Sequence, residues 1–124
     1  YGNSQGFKMQ MYTNGYALTE NFVNKQLGLL DLEVMRVSLY GYDADSYYAV
    51  TKNNKSYKMV INNLKNLCKR MSITDKPLRL GVNWIILPGH SNDLKKVFRM
   101  IKKISVKATI IFQMLNGVLY IIYF

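Results

Sequence analysis

The sequence predicts an α/β fold of parallel strands alternating with helices, and three observations predict it. Short apolar segments recur at about 7–12, 32–40 and 78–87, each bounded by turn residues. They are apolar on both faces, the pattern of strands covered by helices. Each is followed by a stretch with a capping residue and helical spacing, so strand and helix alternate three times before a last apolar run, Val106 to Met114. That order is the signature of right-handed βαβ units, whose helices cover both faces of a sheet or ring a barrel. Four strands are too few to close a barrel, so the architecture reads as incomplete.

Tyr1 to Gly6 reads as a connector. Phe7 to Tyr12 then alternates, with Phe7, Met9 and Met11 set against Lys8, Gln10 and Tyr12. Thr13-Asn14-Gly15 closes this strand, because Asn and Gly tolerate the left-handed backbone of a sharp turn. Thr19 is the expected N-cap of the first helix, with Glu20 in the first turn where the helix dipole favours a carboxylate. Its apolar stripe is Phe22, Val23, Gln26, Leu27 and Leu30, interrupted by Gly28.

The second strand, about Leu32 to Tyr40, organises the chain. Its period of two puts Arg36, Ser38 and Tyr40 on one face and Met35, Val37 and Leu39 on the other. An interior strand with such a polar face usually ends at a site. After Gly41, an Asp-capped short helix runs through Tyr47 to about Val50, and Thr51 to Lys55 is a basic, Asn-rich loop.

Ser56 is the expected cap of the clearest helix. Tyr57, Val60, Ile61, Leu64, Leu67, Cys68 and Met71 recur there at helical spacing. Cys68 lies on that stripe and reads as a core thiol rather than a ligand.

Asp75-Lys76-Pro77 ends the helix, Leu78 to Leu87 is the third strand, and Pro88-Gly89 stops it. Ser91 is the expected N-cap of a helix with Leu94, Val97, Phe98 and Ile101 on one face. The tail from Ala108 to Phe124 carries no charge. It reads as a strand, an Asn116-Gly117 hairpin turn and a second strand, Val118 to Phe124. It is shorter than the roughly 20 residues of a transmembrane helix, so no membrane partner is expected.

A length of 124 residues suits one domain, and 49% hydrophobic with 19% charged residues argues against disorder. The formal net charge is +10, from 17 Lys and Arg against 7 Asp and Glu. Such a balance fits a nucleic-acid or other anionic partner. The preferred explanation is solvated helix faces, since Lys65, Lys69, Lys95, Lys96, Lys102 and Lys103 all fall on polar helical positions. Nucleic acid is therefore not the expected partner. The single cysteine excludes a disulfide framework or a cysteine-based metal site within this chain. No signal-peptide pattern is present, which points to a cytoplasmic protein. A first residue of Tyr1 suggests a piece of something longer.

Common catalytic constellations are missing. His90 is the one histidine, so neither a Ser-His-Asp nor a Cys-His set can be assembled, and no metal ligands are assigned. Glycine-rich phosphate loops are absent as well. What stands out is the order of Thr13-Asn14-Gly15, Val37-Ser38-Leu39-Tyr40-Gly41, Tyr42-Asp43, Ser56 to Leu64 (Ser-Tyr-Lys-Met-Val-Ile-Asn-Asn-Leu), Leu80 to Gly89, and Asn92-Asp93-Leu94. In order and spacing, over about residues 7–104, these pieces resemble the middle of a radical S-adenosylmethionine enzyme core.

The resemblance implies a segment of a partial (β/α)6 TIM-like barrel, roughly its third to sixth strands, with 105–124 as an apolar tail of uncertain assignment. In that family a 4Fe-4S cluster held by a Cys-x3-Cys-x2-Cys motif cleaves S-adenosylmethionine reductively, and the resulting radical attacks the substrate. The cluster-binding cysteines are not in this sequence, so the piece alone is expected to be inactive. The resemblance makes Ser38, Asn14, Thr13, Arg36 and Asn83 the cofactor-side candidates and Tyr40 the substrate-side candidate.

Ordinary structural roles compete with each. Ser38 has backbone bonding at the turn, Arg36 an ion pair to Asp31, Glu33 or another acid of the barrel, and Thr13 and Asn14 have turn chemistry. The substrate implied is a small molecule or a peptide, and the Ser-Leu-Tyr-Gly and Leu-Pro-Gly variants resemble members acting on sugar nucleotides or natural-product intermediates. Two other readings compete: a basic α/β module that binds nucleic acid or another polyanion, and a doubly wound nucleotide-binding domain, which lacks its phosphate loop.

Overall fold

The computed structural model describes residues 5–27, 32–71, 78–84, 91–105, 113–115 and 118–123. Three parallel strands, β1 (Met9–Thr13), β2 (Leu32–Leu39) and β3 (Arg79–Trp84), form one side of a five-stranded sheet with β2 between the other two. Between β1 and β2 lie a short helix, α1 (Glu20–Phe22), and a π-helical turn, Val23–Leu27. Helices α2 (Ala44–Thr51) and α3 (Ser56–Met71) separate β2 from β3. After β3 come a 3-10 turn, Ser91–Asp93, and α4 (Leu94–Ile104). A hairpin of β4 (Gln113–Leu115) and β5 (Val118–Tyr123) completes the sheet, in the order β1-β2-β3-β5-β4.

The core lies on one face of this sheet. Met35, Val37 and Leu39 of β2 are in register with Leu80, Val82 and Trp84 of β3, and all six are buried. Val60, Leu64 and Leu67 of α3 and Val97, Met100, Ile101 and Ile104 of α4 close over them, joined by Leu18, Val23 and Tyr47. The helical stripes expected on α3 and α4 are therefore the ones that pack. Every described helix that buries a side chain packs into this one cluster, so among the described residues the layering is one-sided.

The N-cap at Thr19 forms as expected, its hydroxyl oxygen accepting from the Phe22 N–H at 3.3 Å. The α-helix itself is only three residues long before it widens; Asn21 and Asn24 are weak helix formers that compete for the backbone. Ser56 is the first residue of α3 rather than its cap, and the Lys55 carbonyl accepts the first helical bond, from Met59. Ser91 does not cap α4 either: it opens the 3-10 turn, and Asp93 takes the cap position. The Asp93 carboxylate makes no capping bond, because it accepts from Lys96 Nζ at 3.1 Å.

The fourth strand departs from expectation in place: it runs in the same direction as β3 but lies at the sheet edge, with β5 between the two. Of the run Val106 to Met114, residues 106–112 lie outside the described part, as do Pro88 and Gly89. Gln113 and Met114 belong to β4, which pairs antiparallel with β5. β5 in turn pairs antiparallel with β3, with Asn83 opposite Tyr120. The pairing of Leu115 with Val118 forms the expected hairpin of two strands, and Asn116-Gly117, where its turn is expected, lie outside the described residues. The sheet is thus three parallel strands extended by an antiparallel hairpin.

Candidate functional site

Parallel strands deliver their following loops to one edge of the sheet, and such edges are where α/β proteins gather ligands. Here that edge carries Thr13-Asn14-Gly15 after β1 and Tyr40-Gly41-Tyr42 after β2. Ser38 and Asn83 are register partners near the ends of β2 and β3, half-buried on the face opposite the helices. A hydroxyl and a primary amide side by side there offer both donors and acceptors. Arg36 lies one step down the same face, in register with Tyr12, and its guanidinium sits 5.7 Å from the Tyr12 ring centroid. Glu33, one carboxylate considered for Arg36, pairs instead with Arg79 at 3.0 Å; Asp31 lies outside the described residues. Tyr40, 38% exposed, stands edge-on to Tyr47 with centroids 5.8 Å apart.

Thr13 and Asn14 are engaged in the turn. Thr13 Oγ1 accepts from the Gly15 N–H at 3.1 Å, and Asn14 Oδ1 accepts from the Tyr16 N–H at 3.0 Å. Gly15 has φ +76°, and a Cβ there would lie 2.7 Å from Val37 Cγ1 and 3.1 Å from Val60 Cγ1. Only glycine fits both the backbone and the space.

Sequence reasoning missed the residue that holds this turn. Asn63, buried on α3, donates through Nδ2 to the carbonyls of Gly15 at 3.0 Å and Tyr16 at 3.1 Å. The available signal was an amide directly beside the apolar stripe, where a buried polar group requires partners.

The second loop is fixed by reciprocal capping. Asp43 Oδ1 accepts from the Ser46 N–H at 2.9 Å, and Ser46 Oγ accepts from the N–H groups of Asp43 at 3.2 Å and Tyr42 at 3.0 Å. The chain turns so tightly that a Cβ on Gly41 would lie 2.4 Å from the Tyr47 nitrogen. Tyr57 donates its hydroxyl to the Tyr42 carbonyl at 2.8 Å, tying the loop to α3. Lys96 Nζ donates to the Tyr42 hydroxyl at 3.0 Å and sits 4.7 Å from that ring's centroid, tying it to α4. The hydrogen bonds to Tyr42 and Asp93 raise the Lys96 ammonium above its ordinary pKa. Burial, and secondarily Tyr40, pushes Tyr47 up to about 12, while burial and then Asp43 raise Tyr57. These phenols stay neutral and serve as packing and hydrogen-bonding groups.

An open groove of about 420 Å³ lies elsewhere, lined by Tyr16, Thr19, Phe22, Lys25 and Met59 among others, and none of the expected site residues contributes to it. A cluster held by three cysteines does not fit this chain. Its one cysteine, Cys68, is half-buried against the core, and burial pushes its thiol up to about 11. Among the described residues no helix is long and apolar enough to cross a membrane.

No family model matches the chain. Over 94 residues, 76% of its length, it is 32% identical to dTDP-4-amino-4,6-dideoxy-D-glucose ammonia-lyase of Streptomyces venezuelae. The aligned stretch is 19% of that protein, so the chain spans about a fifth of the length of the curated relative it matches.

Proposed function

We propose that the chain is part of a radical S-adenosylmethionine enzyme core, one partial domain over 1–124 that supplies roughly the third to sixth strands of a (β/α)6 barrel. The observation that carries this reading is the likeness to the ammonia-lyase over 94 residues. It gives weak support at the level of the family, and the ordered pieces from Thr13-Asn14-Gly15 to Asn92-Asp93-Leu94 add to it. The three parallel strands with helices on one side fit a barrel wall, whereas the antiparallel hairpin is a departure from it.

In this reading the iron-sulfur cluster and S-adenosylmethionine supply hydrogen-abstraction chemistry in the parent protein, with the cluster ligands outside this chain. This chain's own contribution is binding and orientation. Ser38 and Asn83 hydrogen-bond the ribose or carboxylate of S-adenosylmethionine, and Arg36 faces an anionic group. Thr13 and Asn14 shape the neighbouring edge, and Tyr40 faces the substrate. The substrate class is an amino sugar carried on a nucleotide, by analogy with the relative's name.

Two measurements test this. The coding sequence upstream of Tyr1 is expected to encode Cys-x3-Cys-x2-Cys, and the protein including it to cleave S-adenosylmethionine reductively in an iron-dependent manner. An upstream sequence without three such cysteines refutes the assignment. In that longer protein, Ser38→Ala is expected to raise the Kd for S-adenosylmethionine about tenfold, as loss of one hydrogen bond to a polar ligand does; an unchanged Kd removes Ser38 from the site.

A further inference from the structure

Helices α3 and α4 pack side by side over the core. Between them they carry Lys58, Lys65, Lys69, Arg70, Lys95, Lys96, Arg99, Lys102 and Lys103, and no carboxylate. All nine are exposed. They are more than half of the chain's 17 cationic residues, while its 7 acidic residues all lie outside the two helices. The sequence showed these lysines as the polar sides of separate helices; packing α3 against α4 joins them into one basic layer.

The spacing is regular. Lys95, Arg99 and Lys103 follow one another at i, i+4 and i+8 along α4, as Lys65 and Lys69 do along α3. At 1.5 Å rise per residue, successive charges in a row stand about 6 Å apart. We infer that the α3–α4 surface is a docking surface for a nucleic-acid phosphate backbone, an interaction independent of the radical-enzyme reading.

A linear polymer with regularly repeated anionic groups matches rows of fixed cations. Interfaces with folded proteins are instead centred on buried aromatic or apolar anchors. On α4 the exposed residues are Lys95, Lys96, Arg99, Lys102 and Lys103, with no apolar side chain among them. Lysine dominates the layer, and its ammonium is a point charge that suits backbone neutralisation rather than base readout. The surface has no exposed aromatic for stacking, so binding is expected to be indifferent to base sequence.

The test is fluorescence anisotropy of the 124-residue chain with a short labelled DNA duplex over a salt series. Five neutralised phosphates, at Lys65, Lys69, Lys95, Arg99 and Lys103, give a log–log salt slope of about −4.5 and a roughly 500-fold loss of affinity from about 50 to 200 mM salt. Lys95→Gln, Arg99→Gln and Lys103→Gln combined should reduce the slope to about −1.8. Lys8→Gln, Lys25→Gln and Lys52→Gln remove the same charge from exposed positions elsewhere and should leave the slope near −4.5. Circular dichroism checks that both variants keep the wild-type helix content, and Lys95→Arg with Lys103→Arg should bind as the wild type does. Equal losses in the two triple variants overturn the proposed location. Displacement of the duplex by polyglutamate at matched charge concentration overturns the assignment to nucleic acid and points to an acidic protein.

Discussion

Replacing Asn63 by leucine tests whether the β1–α1 turn is held from α3. The substitution nearly preserves volume but deletes an amide that donates to two successive carbonyls, at 3.0 and 3.1 Å, across 48 and 47 residues of chain. The Gly15 carbonyl retains the Leu18 N–H at 3.3 Å, so the Tyr16 carbonyl bears most of the loss. Two net hydrogen bonds at about 1 kcal/mol each set the expected destabilisation at about 2 kcal/mol. In urea, with m of about 2 kcal/mol/M, the unfolding midpoint falls by about 1 M at unchanged m.

Asn63→Asp sharpens the test, because its carboxylate would face the same two carbonyl oxygens and lose more than leucine at pH 7. That environment raises the carboxyl's folded-state pKa above its unfolded value of about 3.9. The extra deficit should therefore shrink as pH is lowered through the folded pKa toward that value, the protonated acid donating one bond. A leucine midpoint within about 0.2 M of wild type, about 0.4 kcal/mol at that m and a fifth of the expected loss, would show that Asn63 does not hold the turn.

Gly15→Ala places a methyl against Val37 and Val60 at a φ of +76°; strain and overpacking together should cost about 2–4 kcal/mol in urea unfolding. Asp43→Ala removes the capping box of α2 and should cost about 1 kcal/mol, read from the same transition. Alkaline stability depends on Cys68 and Tyr47, whose folded-state pKa values lie near 11 and 12 against ordinary values of 9.0 and 10.0. Each holds its proton more tightly when folded, so its contribution is intact below the ordinary pKa and is lost as pH rises through the folded value. Stability should fall from about pH 9 upward, and Cys68→Ala should delay the onset toward pH 10; an identical onset in that variant would show that the thiol is not the first group to titrate.

Much of the scaffold was legible because its signals are local. The apolar stripe of α3 needs only helical periodicity, and Val60, Leu64 and Leu67 are buried as that spacing requires. The Thr19 and Asp43 caps rest on side chains reaching backbone three residues away. The pairing of the two tail strands was legible in the same way, and Leu115 is in register with Val118. Misplaced boundaries at Ser56 and Ser91 reflect competition among nearby groups, as when Lys96 takes the Asp93 carboxylate. The place of the fourth strand was missed because an apolar run reports burial but not which strand it pairs with; β5 takes the position beside β3.

By itself, the sequence determined the alternation of strands and helices, the apolar faces of α3 and α4, and the central place of the strand bearing Ser38. Each follows from periodicity and capping within a few turns of chain. The tertiary structure decided which distant residues meet. It set Ser38 beside Asn83 across two strands, put Asn63 under the Gly15 turn, and fused two lysine-bearing helices into one basic layer. Those pairings span tens of residues, and they arise from sheet register and helix packing, which no local pattern encodes.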